Sequence, residues 1–162
     1  MVNARTIAET VTDPELPMLT LAELGVLRDV SEASGRVEVT ITPTYTGCPA
    51  LDAMRDDLRT RLTEAGYADV QVRTVLDPPW TTDWISEPGR RKLSAAGISP
   101  PGSAPRRTSG PIPLTLGPTR RIDCPRCGSS DTVELSRFGA TACKSLRRCD
   151  ACHEPFEHFK EI

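Results

Sequence analysis

The sequence predicts an α+β protein: a small α/β domain on a short mixed sheet, followed by a zinc ribbon. Three observations carry this expectation. Val37, Val39 and Ile41 alternate with Glu38 and Thr40, the pattern of a strand with one buried face. Leu51, Met54, Leu58, Leu62 and Ala65 recur at steps of three or four and make one apolar helical stripe. Two CxxC pairs, Cys124/Cys127 and Cys149/Cys152, are separated by 21 residues. Each short loop can turn two sulfurs toward one point, so two loops supply a tetrahedral site.

The elements follow in order. Ala4 to Val11 predicts a short helix, ending near Thr12-Asp13-Pro14. Thr20 to Leu24 predicts another, because Thr20 and Glu23 have capping-box spacing and Gly25 can stop it. Val26 to Val30 and Val37 to Ile41 read as strands joined through Ala33-Ser34-Gly35. The striped helix ends at Gly66, and Val70, Val72 and Thr74 give a third strand. Strand, helix, strand favours a right-handed crossover onto the same sheet. Trp80 and Trp84 are expected to cover one end of the core. Glu87 to Ala96 predicts a last helix, capped by Ser86, with Pro88 in its first turn and Gly97 at its end.

From Ile98 to Arg121 the chain is rich in Pro, Gly, Ser and Thr and has no sustained period, which reads as an extended linker. Ile112, Leu114 and Leu116 alternate, so part of it could dock as an edge strand. Arg106-Arg107 and Arg120-Arg121 offer positive charge to an acidic partner. The expected domains are therefore residues 1–98, a linker at 99–121 and a ribbon at 122–162.

Composition narrows the function classes. Of 162 residues, 38% are hydrophobic and only 4% aromatic. So thin an apolar supply argues that a second module needs a metal or crosslink. The formal net charge of -2 disfavours a dominant nucleic-acid surface. No apolar run approaches the ~20 residues of a membrane span, and no secretion signal is recognisable. Paired cysteines without a signal point to metal or thiol chemistry in a reducing compartment, here the cytoplasm.

Within the ribbon, Cys124, Cys127, Cys149 and Cys152 are the expected metal ligands. Gly128 fits the tight turn after the first pair, and Thr132 to Leu135 and Ser145 to Arg148 are expected strands. A module of about 40 residues has little core, so metal binding should supply much of its folding free energy. Structural zinc is the expected metal, although tetrathiolate iron shares this coordination. Cys143 is spare and reads as a small core residue, with substitute ligation or oxidation as alternatives. His153 and His158 are not needed for a four-cysteine site.

Cys48 stands apart, between Gly47 and Pro49. Pro49 suits a first helical position, which puts Cys48 at the cap or just before it. Backbone N–H groups and the helix dipole favour a thiolate there. The geometry suits a nucleophile, a redox thiol or a single metal ligand; a small buried residue is the plainer alternative. Catalytic options are weak. Both histidines lie in the ribbon, no resolving cysteine sits two residues away, and Asp13 and Glu15 are the acids that would have to approach. No catalytic residue is assigned.

The segments TDPELP (12–17), LAELGVLRDV (21–30), TYTGCPA (44–50) and PPWTTDWISEPGRRKLSAAGI (78–98) resemble the small α/β domain of an iron–sulfur assembly family. That family includes SufT-like proteins and their cytosolic eukaryotic relatives. Its reactive cysteine maps onto Cys48 and its acidic motif onto Asp13 and Glu15. With ELSRFGATACKSLRRCDACHEPFEHFK (134–160), nearly the whole chain, the linker least specifically, resembles more narrowly the D subunits of bacterial phenylacetyl-CoA epoxidase systems. This resemblance implies a maturation factor, not catalytic alone, with Cys48 as transient ligand of iron or an iron–sulfur cluster. Implied partners are the epoxidase subunits, especially the iron–sulfur flavoprotein reductase, with cluster-assembly proteins and a second copy of the chain as further candidates. The absence of paired Glu-x-x-His motifs agrees that the di-iron chemistry lies on another component. A structural accessory subunit is the alternative. A nucleic-acid-binding ribbon and a thiol oxidoreductase pairing Cys48 with Cys143 rank lower.

Overall fold

The computed structural model describes residues 3–104 and 121–162. The chain divides into two compact units, Met1–Lys92 and Leu93–Ile162.

The first unit opens with helix α1, Ala4–Ala8, whose N-terminal N–H of Arg5 is capped by the Asn3 side chain. The helix is shorter than the sequence suggests. After Ala8 the bonds tighten to a three-residue step, with Thr10 N–H donating to Ile7 and Val11 N–H to Ala8. The stretch expected as a second short helix is a single turn. Its capping box is real: Thr20 N–H donates to Glu23 Oε2 at 3.0 Å, and Glu23 N–H to Thr20 Oγ1 at 3.1 Å. Five residues are too few to propagate a helix beyond its nucleus, and Gly25 ends the turn at φ 75°.

Strands β1 (Leu27–Ala33) and β2 (Arg36–Ile41) pair antiparallel. Ser34 and Gly35 connect them, both at positive φ, the backbone of a tight hairpin whose twist matches its strands. Helix α2 (Leu51–Glu64) then returns the chain to β3 (Asp69–Thr74), which pairs parallel to β2. The sheet order is β1-β2-β3, a mixed sheet as expected. Val37, Val39 and Ile41 are fully buried, and α2 buries Met54, Leu58 and Leu62. Each such side chain contributes about 1.5–3 kcal/mol. The alternate positions carry exposed ion pairs, Arg36–Asp69 at 2.7 Å and Arg73–Glu38 at 2.8 Å. These keep that face in water and add little stability.

Both tryptophans cover the core of this unit. Trp80 is 2% exposed and its indole N–H donates to the Leu24 carbonyl at 3.0 Å. Trp84 closes a 3-10 turn, Thr82–Trp84, with the Arg28 guanidinium 3.5 Å above its ring. Helix α3 (Glu87–Ala95) follows, with Ser86 Oγ accepting from Gly89 N–H. Trp80→Phe keeps the apolar ring but orphans a buried carbonyl. Denaturant unfolding should report a loss of about 1–3 kcal/mol; an unchanged midpoint would deny the bond its structural weight.

The second unit is a four-stranded sheet: β4 (Ile98–Ser99), β5 (Thr132–Ser136), β6 (Lys144–Cys149) and β7 (Pro155–Phe159), in the order β4-β7-β6-β5. Sequence spacing points to two strands between the cysteine loops, and β5 and β6 are those two. β7 pairs antiparallel to β6, and β4, lying at the boundary drawn from the sequence, pairs parallel to β7. The small apolar cluster here is Ile122, Cys124, Cys149 and Phe156, with Cys152 packed against it. The core of this unit is thus partly made of sulfur. The expected edge strand of Ile112, Leu114 and Leu116 and the charges of Arg106, Arg107 and Arg120 lie outside the described residues. No helix among the described residues is long and apolar enough to cross a membrane.

Candidate functional site

The two CxxC loops are built alike. Cys124 N–H donates to the Ser129 carbonyl at 2.9 Å, and Cys149 N–H to the Glu154 carbonyl at 3.0 Å. In each loop the residue after the second cysteine takes a left-handed backbone: Gly128 at φ 73° and His153 at φ 64°. Glycine does this without strain, and histidine is among the few other residues that tolerate it. The turn at Gly128 is legible in the sequence. The equivalent role of His153 is not recognised there, although its place one residue beyond a CxxC is the available signal.

The loops bring Cys124, Cys127, Cys149 and Cys152 together, with all four sulfurs within 4.8 Å of one another. Cys124 Sγ and Cys152 Sγ are 3.8 Å apart, and Cys127 Sγ and Cys149 Sγ 3.6 Å. Zn–S bonds of about 2.3 Å in a tetrahedron place sulfurs roughly 3.8 Å apart. The donor set therefore fits a four-thiolate metal in number, chemistry and spacing. Among the described residues this is the one such gathering of three or more metal-ligating groups.

Protons are unevenly held in this set. Backbone N–H groups, that of Cys152 first and that of Ala151 next, aim at Cys149 and lower its thiol to about 7. Cys152 receives the Glu154 N–H, yet burial and the neighbouring thiols push it up to about 12. Four thiolates repel unless a cation lies between them, and a divalent metal supplies that charge while displacing the protons.

The remaining ribbon candidates fall outside the set. His153 is exposed on its turn. His158 is buried, with Nδ1 3.2 Å from the Ser99 carbonyl. Cys143 is 4% exposed, with its sulfur 3.0 Å from Thr141 Oγ1.

Cys48 belongs to the first unit, in the loop between β2 and α2. It is 9% exposed, and Thr42 and Thr44 beside it are also buried. Gly47 has φ 86°. The helix cap is Ala50, one residue beyond the later of the two expected positions, and the Cys48 carbonyl accepts from Leu51 N–H at 3.2 Å. Pro49 and Ala50 thus form a separate turn that leads into α2. Cys48 therefore precedes the helix by a turn instead of capping it.

Asp13 and Glu15 lie in another loop, closed by a bridge between Thr12 and Thr20. Asp13 is 6% exposed, and its Oδ1 accepts from the N–H groups of Glu15 and Leu16, both at 2.8 Å. The carboxylate therefore fixes the shape of this loop, and Glu15 is half-buried beside it.

Known proteins match both units. Residues 5–77 match the family described as "Iron-sulfur cluster assembly protein", and residues 108–160 the "PaaD zinc beta ribbon domain". A protein of Escherichia coli (strain K12), named as the D subunit of a "Putative 1,2-phenylacetyl-CoA epoxidase", is 42% identical over 152 residues, spanning 94% of this chain and 87% of that protein. A "Fe-S protein maturation auxiliary factor" from Porphyromonas gingivalis is 35% identical over 52% of this chain and 81% of its own length. Among solved structures, the domain DUF59 from Bacillus anthracis covers 56% of this chain and 87% of that one, with 27% identity and a TM-score of 0.52.

Proposed function

Because the chain belongs to the family of the phenylacetyl-CoA epoxidase D subunits, with an iron–sulfur assembly domain and a zinc ribbon, we propose that it is a maturation factor for that multicomponent enzyme. It assists insertion of an iron–sulfur cluster into a component of the system, the cluster-bearing reductase first. Cys48 is the transient ligand, with Asp13 and Glu15 shaping and charging another loop of the same unit. The ribbon holds structural zinc on Cys124, Cys127, Cys149 and Cys152, and contributes to recognising the client. The work takes place in the cytoplasm, where thiols stay reduced.

One observation carries this reading. The first unit keeps one cysteine, Cys48, on a glycine–proline turn, while the second holds a complete four-sulfur set of its own. A complete structural site has no open position, so the ribbon sulfurs are poorly suited to handing over a metal. A single thiolate can be exchanged: a client thiolate takes its place on iron, and the freed Cys48 sulfur takes up a proton.

The test is to produce the reductase alongside the native chain or Cys48→Ser and measure iron, sulfide and visible absorption per reductase. Cluster content should fall at least about tenfold with the variant, since losing only a partner behind a metal ligand already costs that much. Zinc content and melting of the chain itself should not change. Equal cluster loading by a well-folded Cys48→Ser protein overturns the role. The Escherichia coli relative is named as a subunit of the epoxidase, which favours a second reading, a structural accessory that stabilises the complex. That reading expects persistent co-purification and indifference to Cys48.

A further inference from the structure

Three of the four well-exposed large apolar side chains among the described residues fall close together in the ribbon unit: Val133 at 38%, Leu135 at 52% and Phe138 at 68%. They run along β5 and into the turn after it. Single exposed apolar residues are ordinary, but a contiguous group marks a surface that something covers. β5 is also the last strand of its sheet, with β6 as its one neighbour among the described residues. A covering group therefore has open access along this edge.

The charges beside the patch narrow the class of that group. Arg126, Lys144, Arg147 and Arg148 each have a carboxylate within 4.0 Å. Arg137 and Lys160 have none among the described residues. These two flank Phe138: Arg137 precedes it, and Lys160 Nζ lies 4.9 Å from the centre of its ring. Lys160 Nζ also donates to the Arg137 carbonyl at 3.1 Å, which ties cation, ring and turn together. The acids near these cations, Glu134 and Glu161, are engaged elsewhere. Glu134 is 3.6 Å from Arg147, and Glu161 lies 3.6 Å from His158 and accepts from Gly102 N–H. An exposed ring between two unpaired cations is complementary to apolar side chains flanked by carboxylates.

Other occupants match less well. Residues 105–120 of this chain carry three arginines and no acid, so like charge disfavours them as the cover. A second copy adding to β5 meets a bulge: the ladder shifts between Glu134 and Ser136, which leaves Leu135 without a partner in β6. Bulges bend an edge away from strand addition. An isologous contact would also bring the unpaired cations of both copies together. A lipid surface is read by larger basic clusters than a pair of cations.

We propose that this patch is the docking surface for an acidic, apolar segment of a partner protein. The segment lays apolar side chains against Phe138 and Leu135 and places carboxylates on Arg137 and Lys160. The proposal locates the client recognition assigned above to the ribbon and rests on that part of the reading, not on cluster transfer at Cys48.

The zinc-loaded full chain, labelled with 15N, is titrated with three capped nonapeptides that alternate Leu with Glu, Leu with Gln, and Ser with Glu. Saturable shifts of the Val133–Gly139 amides and of the Lys160 amide are expected with the Leu/Glu peptide, and about tenfold weaker binding with the other two. Added salt should weaken the Leu/Glu peptide and leave the Leu/Gln peptide unchanged. Phe138→Ala and Arg137→Glu should each weaken Leu/Glu binding about tenfold, the scale of losing a central interface anchor. Both side chains are exposed; zinc content and the sheet amides confirm folding, and either variant carries the test if the other does not fold. No cluster is present in this titration, so lost docking and lost cluster loading are separate results. No saturable shift with the Leu/Glu peptide overturns the proposal. So does a Leu/Gln or Ser/Glu peptide that binds as well, or unchanged affinity in a folded Phe138→Ala or Arg137→Glu chain. Two further outcomes overturn it by naming another occupant: a native dimer in sedimentation that Phe138→Ala dissociates, and vesicles of phosphatidylserine that bind the chain more tightly than the Leu/Glu peptide does.

Discussion

Cys149→Ser, or removal of zinc by a chelator, is expected to unfold the 93–162 unit while the β1–β3 sheet stays intact. Cys149 is fully buried, ends β6, and contributes both a sulfur to the four-thiolate set and its bulk to the small apolar cluster. That cluster has few members besides cysteines. Structural zinc contributes about 10–16 kcal/mol to the folding of small modules, more than the usual net stability of a whole domain. Zinc per chain should fall from one equivalent to none. The amide signals of β5, β6 and β7 should collapse toward unfolded positions, and those of β2 and α2 should remain. A ribbon sheet that survives chelation would refute the metal's structural role. Acid should act in the same direction as the chelator. Zinc binds thiolates, so protons compete as the pH falls, and uptake of zinc releases them. With the thiol of Cys149 lowered to about 7 and that of Cys152 raised to about 12, each of the two carries its proton in the metal-free set on the acid side of neutral, where zinc must displace it. Zinc retention should therefore weaken steadily on the acid side of neutral.

The second large effect is expected at Gly25→Ala. Gly25 ends the capping-box turn at φ 75°, and a Cβ there would lie 2.6 Å from Trp84 Cβ and 2.7 Å from the Trp84 carbonyl oxygen. Backbone cannot yield as a flexible side chain does. The left-handed conformation costs about 1–2 kcal/mol for a residue with a Cβ, and overpacking adds about 1–3 kcal/mol. Gly35→Ala provides the control, because Gly35 has φ 80° but nothing within 4 Å of its added Cβ. It should show the backbone cost alone. For a unit of this size each kcal/mol moves the melting temperature by about 4–8 °C. The Gly25 variant should therefore melt roughly 10–30 °C lower, well beyond Gly35→Ala. Equal losses in the two variants would mean that Trp84 does not press on Gly25.

The features that were legible have short-range causes. Alternation exposed β2, the apolar stripe exposed α2, and the paired cysteines exposed the four-sulfur set. Where sequence and structure part, local signals were outweighed. The Thr20–Glu23 box was correctly read, but it closes one turn because no apolar stripe continues it. Pro49 fits a first helical position, yet Pro49 and Ala50 make their own turn and move the helix start beyond Cys48. In β7, Phe156 and His158 alternate inward, but a histidine among acids obscures the pattern.

The two-residue strand β4 has a consequence for how such proteins are cut and recombined. Ile98 and Ser99 border β7 in the ribbon sheet, whereas the matched ribbon family begins at residue 108. A fragment started there would uncover the outer rim of β7, with its Phe156 and Phe159, as a template for self-pairing. A swap between relatives that preserves the sheet must join the chains before Ile98, in or ahead of α3. The heritable unit of the ribbon is thus longer than its cysteine-bearing segment.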